Sequence, residues 1–214
     1  MELVEPTHPL IQWIRDDFAN DPQQLHPVSA VQLAAEVASV PVGDYVFMTH
    51  RWSFVGLRTD HLLAYRAVRV GADQTLDSSV SEVLVTAATR HGRSLPNAAN
   101  LIGELVDVAN VAATCDEVLQ LDFAERANDF EAENELRCGQ QETTARRFAD
   151  RRIKELNERL DRFRAQGNMR PIPMTEGLLR KEETQLLAKL ARIERRRQTD
   201  PTIVPLAVGV IRVN

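Results

Sequence analysis

From Ala98 to Ala165 the chain runs 68 residues without a proline. Only Gly103 and Gly139 weaken a helix there, at about 1 kcal/mol each relative to alanine. One very long helix is therefore dictated, and the rest of the fold has to be arranged around it. Its last part carries a seam: Ala149, Ile153, Leu156, Leu160 and Phe163 step by 4, 3, 4 and 3, the spacing of a coiled coil. Gln166-Gly167-Asn168 reads as the helix stop, and Pro171 and Pro173 bar continuation. A second helix is predicted from about Thr175 to Gln198, where Leu179, Glu183, Leu186, Leu190 and Ile193 repeat the same steps. Two seams joined by a short loop predict an antiparallel helical hairpin.

The flanks change period. Thr7 and Pro9 open a short amphipathic helix with Leu10, Ile11, Trp13, Ile14 and Phe18 on its apolar face. Val28–Leu33 reads as a strand, Pro41 to Asp44 as a turn, and 45–70 as a long antiparallel hairpin broken at Gly56 to Asp60. Ser79 to His91 reads as a helix ending at Gly92, followed by a loop at Leu95-Pro96-Asn97. The tail from Ile203 to Val213 is a strand in which Pro205 belongs on an edge or at a bulge. It is too apolar to dangle, so it returns to the sheet. The expected fold is α+β: a small antiparallel sheet with flanking helices and a long inserted antiparallel coiled-coil hairpin. Residues 1–97 and 201–214 form the sheet domain in this reading, and 98–200 form the hairpin.

Aromatic residues make up 5% of 214, a composition that goes with helices. Cys115 and Cys138 both fall in the long helix. Residues 23 apart on an unbroken helix lie about 34 Å apart, so the two cannot pair with each other. Free thiols suggest a reducing compartment. The sequence has neither an apolar run of membrane-span length nor a basic-then-apolar leader. No membrane partner and a cytoplasmic location are expected.

Enzyme signatures are missing: there is no phosphate-binding loop ending in Lys-Ser or Lys-Thr, no Gly-x-Gly-x-x-Gly, no Gly-x-Ser-x-Gly and no His-Glu-x-x-His. No catalytic residue, cofactor or metal is assigned. His50 and His61 could meet across the hairpin, but two polar residues on a solvated sheet face is the plainer reading. Asp129, Glu131, Glu133 and Glu135 are explained by helical solvation, and Trp52 beside Arg51 reads as a core ring next to a surface cation. A pocket near Arg51 and His61, where sheet and hairpin join, would instead suggest a cryptic hydrolase.

Charge is the strongest internal signal. The chain carries -5 overall, yet Thr143 to Gln198 holds 16 Lys or Arg against 8 Asp or Glu, a net of +8. Leu101 to Glu142 holds 11 acids against Arg126 and Arg137. The candidate nucleic-acid-binding residues are Arg146, Arg147, Arg151, Arg152, Arg159, Arg162, Arg164, Arg192, Arg195, Arg196 and Arg197. Such an arm can hold phosphates by charge and counterion release. An ordinary charged coiled-coil exterior with i,i+4 pairs is the competing reading.

Several segments run in a recognisable series. These are Thr7-His8-Pro9-Leu10, Arg51-Trp52, the long charged helix and Arg170-Pro171-Ile172-Pro173. Gly177-Leu178-Leu179-Arg180-Lys181-Glu182 and Val208-Gly209-Val210-Ile211-Arg212-Val213 complete it. The series resembles the C-terminal region of bacterial Swi/Snf-type helicase-like proteins, including those of phage-defence systems. The resemblance implies a non-catalytic accessory domain that contacts DNA, or a helicase ATPase core in cis or in trans. The ATPase motifs themselves are missing, so no ATP-binding residue carries over. The alternative is a protein-interaction or oligomerisation module, a homodimer for example, working through the coiled coil.

Overall fold

The computed structural model describes residues 28–72, 75–95, 98, 100, 102, 105 and 108–214. The expected N-terminal helix and most of the 95–97 loop lie outside them. Five strands, β1 (Val28–Leu33), β2 (Gly43–Val55), β3 (Thr59–Arg69), β4 (Arg93–Ser94) and β5 (Asp200–Val213), form one sheet in the order β3-β2-β5-β1-β4. The helices are α1 (Ala35–Ala38), α2 (Ser78–His91), α3 (Val108–Ala165) and α4 (Ile172–Arg197). The fold is α+β, but the sheet is mixed where a purely antiparallel one was expected. β1 runs antiparallel to β4 and parallel to β5. Nearly the whole chain lies between β1 and β5, and a connection of that length permits the parallel sense that a tight turn forbids.

β1 pairs with Val208 to Val213 only. The first half of β5 therefore runs past the end of β1, and Pro205 sits there, where its missing N–H removes no bond to β1.

Two compact units divide the chain. The first takes in the described residues of 28–49, 65–115 and 206–214. Alternation sends Tyr45 and Phe47 of β2, with Ile211 and Val213 of β5, to one sheet face against Leu84, Val85 and Ala88 of α2. Val46 and Val210 point the other way, with Ala30, to pack under Val108, Val111 and Ala112. Ser81, fully buried on α2, accepts a bond from the Ala67 N–H at 3.0 Å and donates to the Leu76 carbonyl at 3.3 Å. Arg212 of β5 clamps the Asp44 carboxylate of β2 with two bonds of 2.8 and 3.1 Å.

The second unit holds residues 50–64 and 116–205. Trp52 and Phe54 of β2 lie against α3: Trp52 meets Phe123 edge-on at 5.7 Å, and Phe54 lies 5.5 Å from Phe123 and 5.4 Å from Phe130. α3 ends at a left-handed Gly167, with the Asn168 N–H on the Phe163 carbonyl and the Gly167 N–H on the Arg164 carbonyl. That two-bond geometry is the stop expected at Gln166-Gly167-Asn168. The second helix starts earlier than expected. Pro171 is its N-cap and Pro173 lies inside its first turn, where the N–H that proline lacks would have had no partner anyway.

Burial along α4 also shifts the seam. Leu179, Leu186, Leu190 and Ile193 turn inward as expected, but Glu183 is exposed and Glu182 is half-buried in its place. A step of 3 then 4 replaces 4 then 3, and Glu182 lies 4.0 Å from Arg152 across the helix pair.

Cys115 and Cys138 are both fully buried thiols outside any disulfide, and burial pushes the Cys138 thiol above its ordinary value. Both are expected to resist iodoacetamide in the folded chain and to react within minutes in 6 M guanidinium, a contrast read by mass spectrometry.

Candidate nucleic-acid interface

α3 turns Ala145, Ala149, Leu156 and Leu160 inward, which leaves its arginines outside. The eleven candidate arginines do not share one fate. Four are drawn onto carboxylates. Arg146 holds Glu142 through Nε at 3.0 Å and Nη2 at 2.8 Å. Arg152 bonds Glu155 at 3.1 Å, and Arg164 reaches Glu176 at 3.3 Å. Arg197 reaches Glu135, Glu142 at 3.0 Å and Glu194 at 2.9 Å. The other seven meet no carboxylate among the described residues. Arg151, Arg162, Arg195 and Arg196 donate to the backbone carbonyls of Arg147, Glu158, Ala191 and Leu57. Arg159 lies 5.4 Å over the Phe163 ring. Arg147 and Arg192 are exposed with no partner among the described residues.

The inter-helix contacts run in opposite order along the two helices: Arg164 with Glu176, Arg152 with Glu182, and Glu142 with Arg197. This register gives the arm two unlike flanks. On one, Glu131, Glu135, Glu142 and Glu194 gather around Arg197. On the other, Lys181, Gln185, Lys189, Arg192 and Arg196 follow one another on α4 at steps of 4, 4, 3 and 4, all exposed and without an acid among them. Beside that second flank lies a groove of about 500 Å³ lined by Leu57, Arg137, Gln140, Gln141, Thr144, Lys189 and Arg192. Arg137, which lines the groove, pairs with Glu133 at 3.1 Å, and Arg58 is shared between Asp60 at 2.7 Å and Glu133 at 3.3 Å, whereas Lys189 and Arg192 meet no carboxylate among the described residues. Arg137, Lys181 and Lys189 were not among the eleven candidates. Plotting 137–151 and 181–196 on helical wheels picks out their faces, but the wheels alone do not bring the two faces together.

One buried amide fixes the base of the arm. Asn134 accepts the Leu57 N–H at 2.8 Å and donates to the carbonyls of Arg196 and Arg197 at 2.9 and 3.1 Å. It therefore satisfies two carbonyls at the open end of α4 and ties the β2–β3 turn to both helices. The amide leaves no room at Gly56, where an added Cβ would come within 2.6 Å of Asn134 Oδ1.

The Glu142 carboxyl is held below its usual 4.5, first by the hydrogen bond from Arg146 and then by the charges of Arg146 and Arg197. A folded value below the unfolded one stabilises the fold above pH 4.5, and this is lost as pH falls through the folded value. Glu142→Gln is therefore expected to be less stable than the parent at pH 7, with the difference shrinking as pH falls below 4.5, as read by thermal melts across the pH series.

The histidines do not meet. His50 is buried, with Nε2 at 3.0 Å from Asp116 Oδ1. His61 is exposed, its Nδ1 2.9 Å from Ser53 Oγ. Two histidines on one solvated face is thus corrected for His50, because residues 50, 52 and 54 share the side of β2 that packs on α3. Trp52 is buried and Arg51 is exposed. Among the described residues no group of three or more His, Cys, Asp or Glu gathers to hold a metal, and no helix is long and apolar enough to cross a membrane.

These features define an α+β chain whose long helical arm carries one acidic and one basic flank. No family model, curated protein or solved structure matches the chain.

Proposed function

We propose that this chain is a non-catalytic module that contacts nucleic acid through the basic flank of the α3–α4 arm, and that the arm is an antiparallel coiled-coil hairpin. The hairpin reading is supported by the opposite order of the inter-helix pairs and by the 4-and-3 spacing of buried positions on both helices. The nucleic-acid reading rests on one observation: seven of the eleven candidate arginines meet no carboxylate among the described residues. Pairing within the arm leaves a positive surface that a phosphate backbone can neutralise. Following the resemblance in the sequence, the module serves a Swi/Snf-type helicase as an accessory domain in the cytoplasm, contacting the nucleic acid that the motor engages. The oligomerisation reading has less to rest on. Leu121 and Leu136 of α3 and Leu187 of α4 are exposed, but they stand singly, as exposed leucines commonly do.

The test is fluorescence anisotropy with a labelled 20-nucleotide DNA, as single strand and as duplex. Binding is expected to weaken about 10²-fold between 50 and 200 mM salt if four phosphates are neutralised. Reversing Arg147, Arg151, Arg162 and Arg192 to Glu is expected to abolish it with the helical circular dichroism unchanged. Full affinity in that variant would refute the proposal.

A further inference from the structure

Resting on the nucleic-acid reading above, we infer that the arm takes single-stranded nucleic acid along the acid-free groove, with a base stacked on Phe148 and the phosphates held by cations of both helices. On α3, Arg137, Gln141, Thr144, Phe148 and Arg151 step by 4, 3, 4 and 3, so they share one face over about 21 Å. Glu133 and Glu155 bound this stripe, and no acid falls within it. Its first three members line the groove together with Lys189 and Arg192 of α4. Phe148 follows one turn beyond Thr144.

Phe148 is the anomaly in the stripe. It is 64% exposed and makes no ring or cation contact among the described residues. The other phenylalanines of α3 are used within the protein: Phe123 and Phe130 pack on β2, and Phe163 lies under Arg159. An open ring set between cations is a platform for an unstacked base, and it tolerates any base because every base has a π-face. A duplex keeps its base faces closed and offers such a ring nothing. Gln141 and the exposed Gln185 of the α4 flank add amides that can meet base edges once a strand is splayed open. Charge by itself would suit either form of nucleic acid; the ring selects the single strand.

The experiment uses the full chain and a fluorescein-labelled 20-nucleotide single strand of mixed sequence, with the same strand in a duplex as the comparison. The parent is expected to bind the single strand more tightly. Phe148→Ala is expected to weaken single-strand binding roughly tenfold while leaving duplex binding unchanged, and Phe148→Trp should retain the single-strand affinity. Lys189→Glu with Arg192→Glu should weaken both. Because Phe148 is exposed, an unchanged melting temperature in Phe148→Ala verifies that its fold is intact. If Phe148→Ala binds the single strand as the parent does, or if the parent prefers the duplex, the stacking inference falls and the basic-arm reading stands. If the parent binds neither form, both fall.

Discussion

Phe54→Ala is expected to lower the free energy of unfolding by about 3–5 kcal/mol. The ring is fully buried and touches two others from α3, Phe123 and Phe130. The chain has only seven phenylalanines, so the seam between β2 and α3 has few large side chains to redistribute into the space left. A cavity with little means of collapse puts the cost at the upper end of that range. Urea unfolding followed by circular dichroism reads it as a lower midpoint with an unchanged slope. A loss under about 1 kcal/mol would mean that the aromatic contact does not hold the strand to the helix.

Asn134→Leu removes a different kind of support. The buried amide serves one N–H and two carbonyls, and leucine of similar volume serves none. Each stranded backbone group costs about 1–3 kcal/mol. The two carbonyls lie at a helix end where water can partly replace the amide, so the expected loss is about 2–4 kcal/mol. Asn134→Asp separates hydrogen bonding from shape. Its carboxylate still accepts the Leu57 N–H but faces two carbonyls it cannot donate to. The folded protein therefore raises the pKa of this aspartate above its unfolded value. The variant is expected to be least stable at neutral pH and to recover as pH falls and the acid becomes a donor. An Asn134→Asp protein as stable as the parent at pH 7 would refute the role assigned to the amide.

Much of this was legible along the chain because it depends on neighbours. Gly92 ends α2 and Gly167 ends α3 as expected, the second in the left-handed conformation that glycine favours, and the alternation in 45–70 predicts strands running as far as β2 and β3 do. The seam on α3 follows from period alone. On α4 period was insufficient, because 179–183–186 and 179–182–186 both complete a heptad. The half-buried position is Glu182, which faces Arg152 on the opposite helix, more than two dozen residues away in the chain. His50 followed the same pattern: its surroundings in sequence suit an exposed strand face, and only the docking of α3 on that face of β2 buries it.

The sequence by itself determined that a long proline-free helix exists, that it turns from acidic to basic, and that a second basic helix follows a glycine stop. Those properties come from composition and local backbone preference, which act over a few residues. Arg146 with Glu142 and Arg152 with Glu155 pair within one helix, but tertiary structure alone decided the pairs made between the helices. The register of α4 against α3 brings Arg197 to Glu135 and Glu142 on one flank. On the other it sets Lys189 and Arg192 beside Arg137, Gln141 and Thr144. Charge is a property of residues, whereas potential at a surface depends on which charges are brought within a few ångströms of each other.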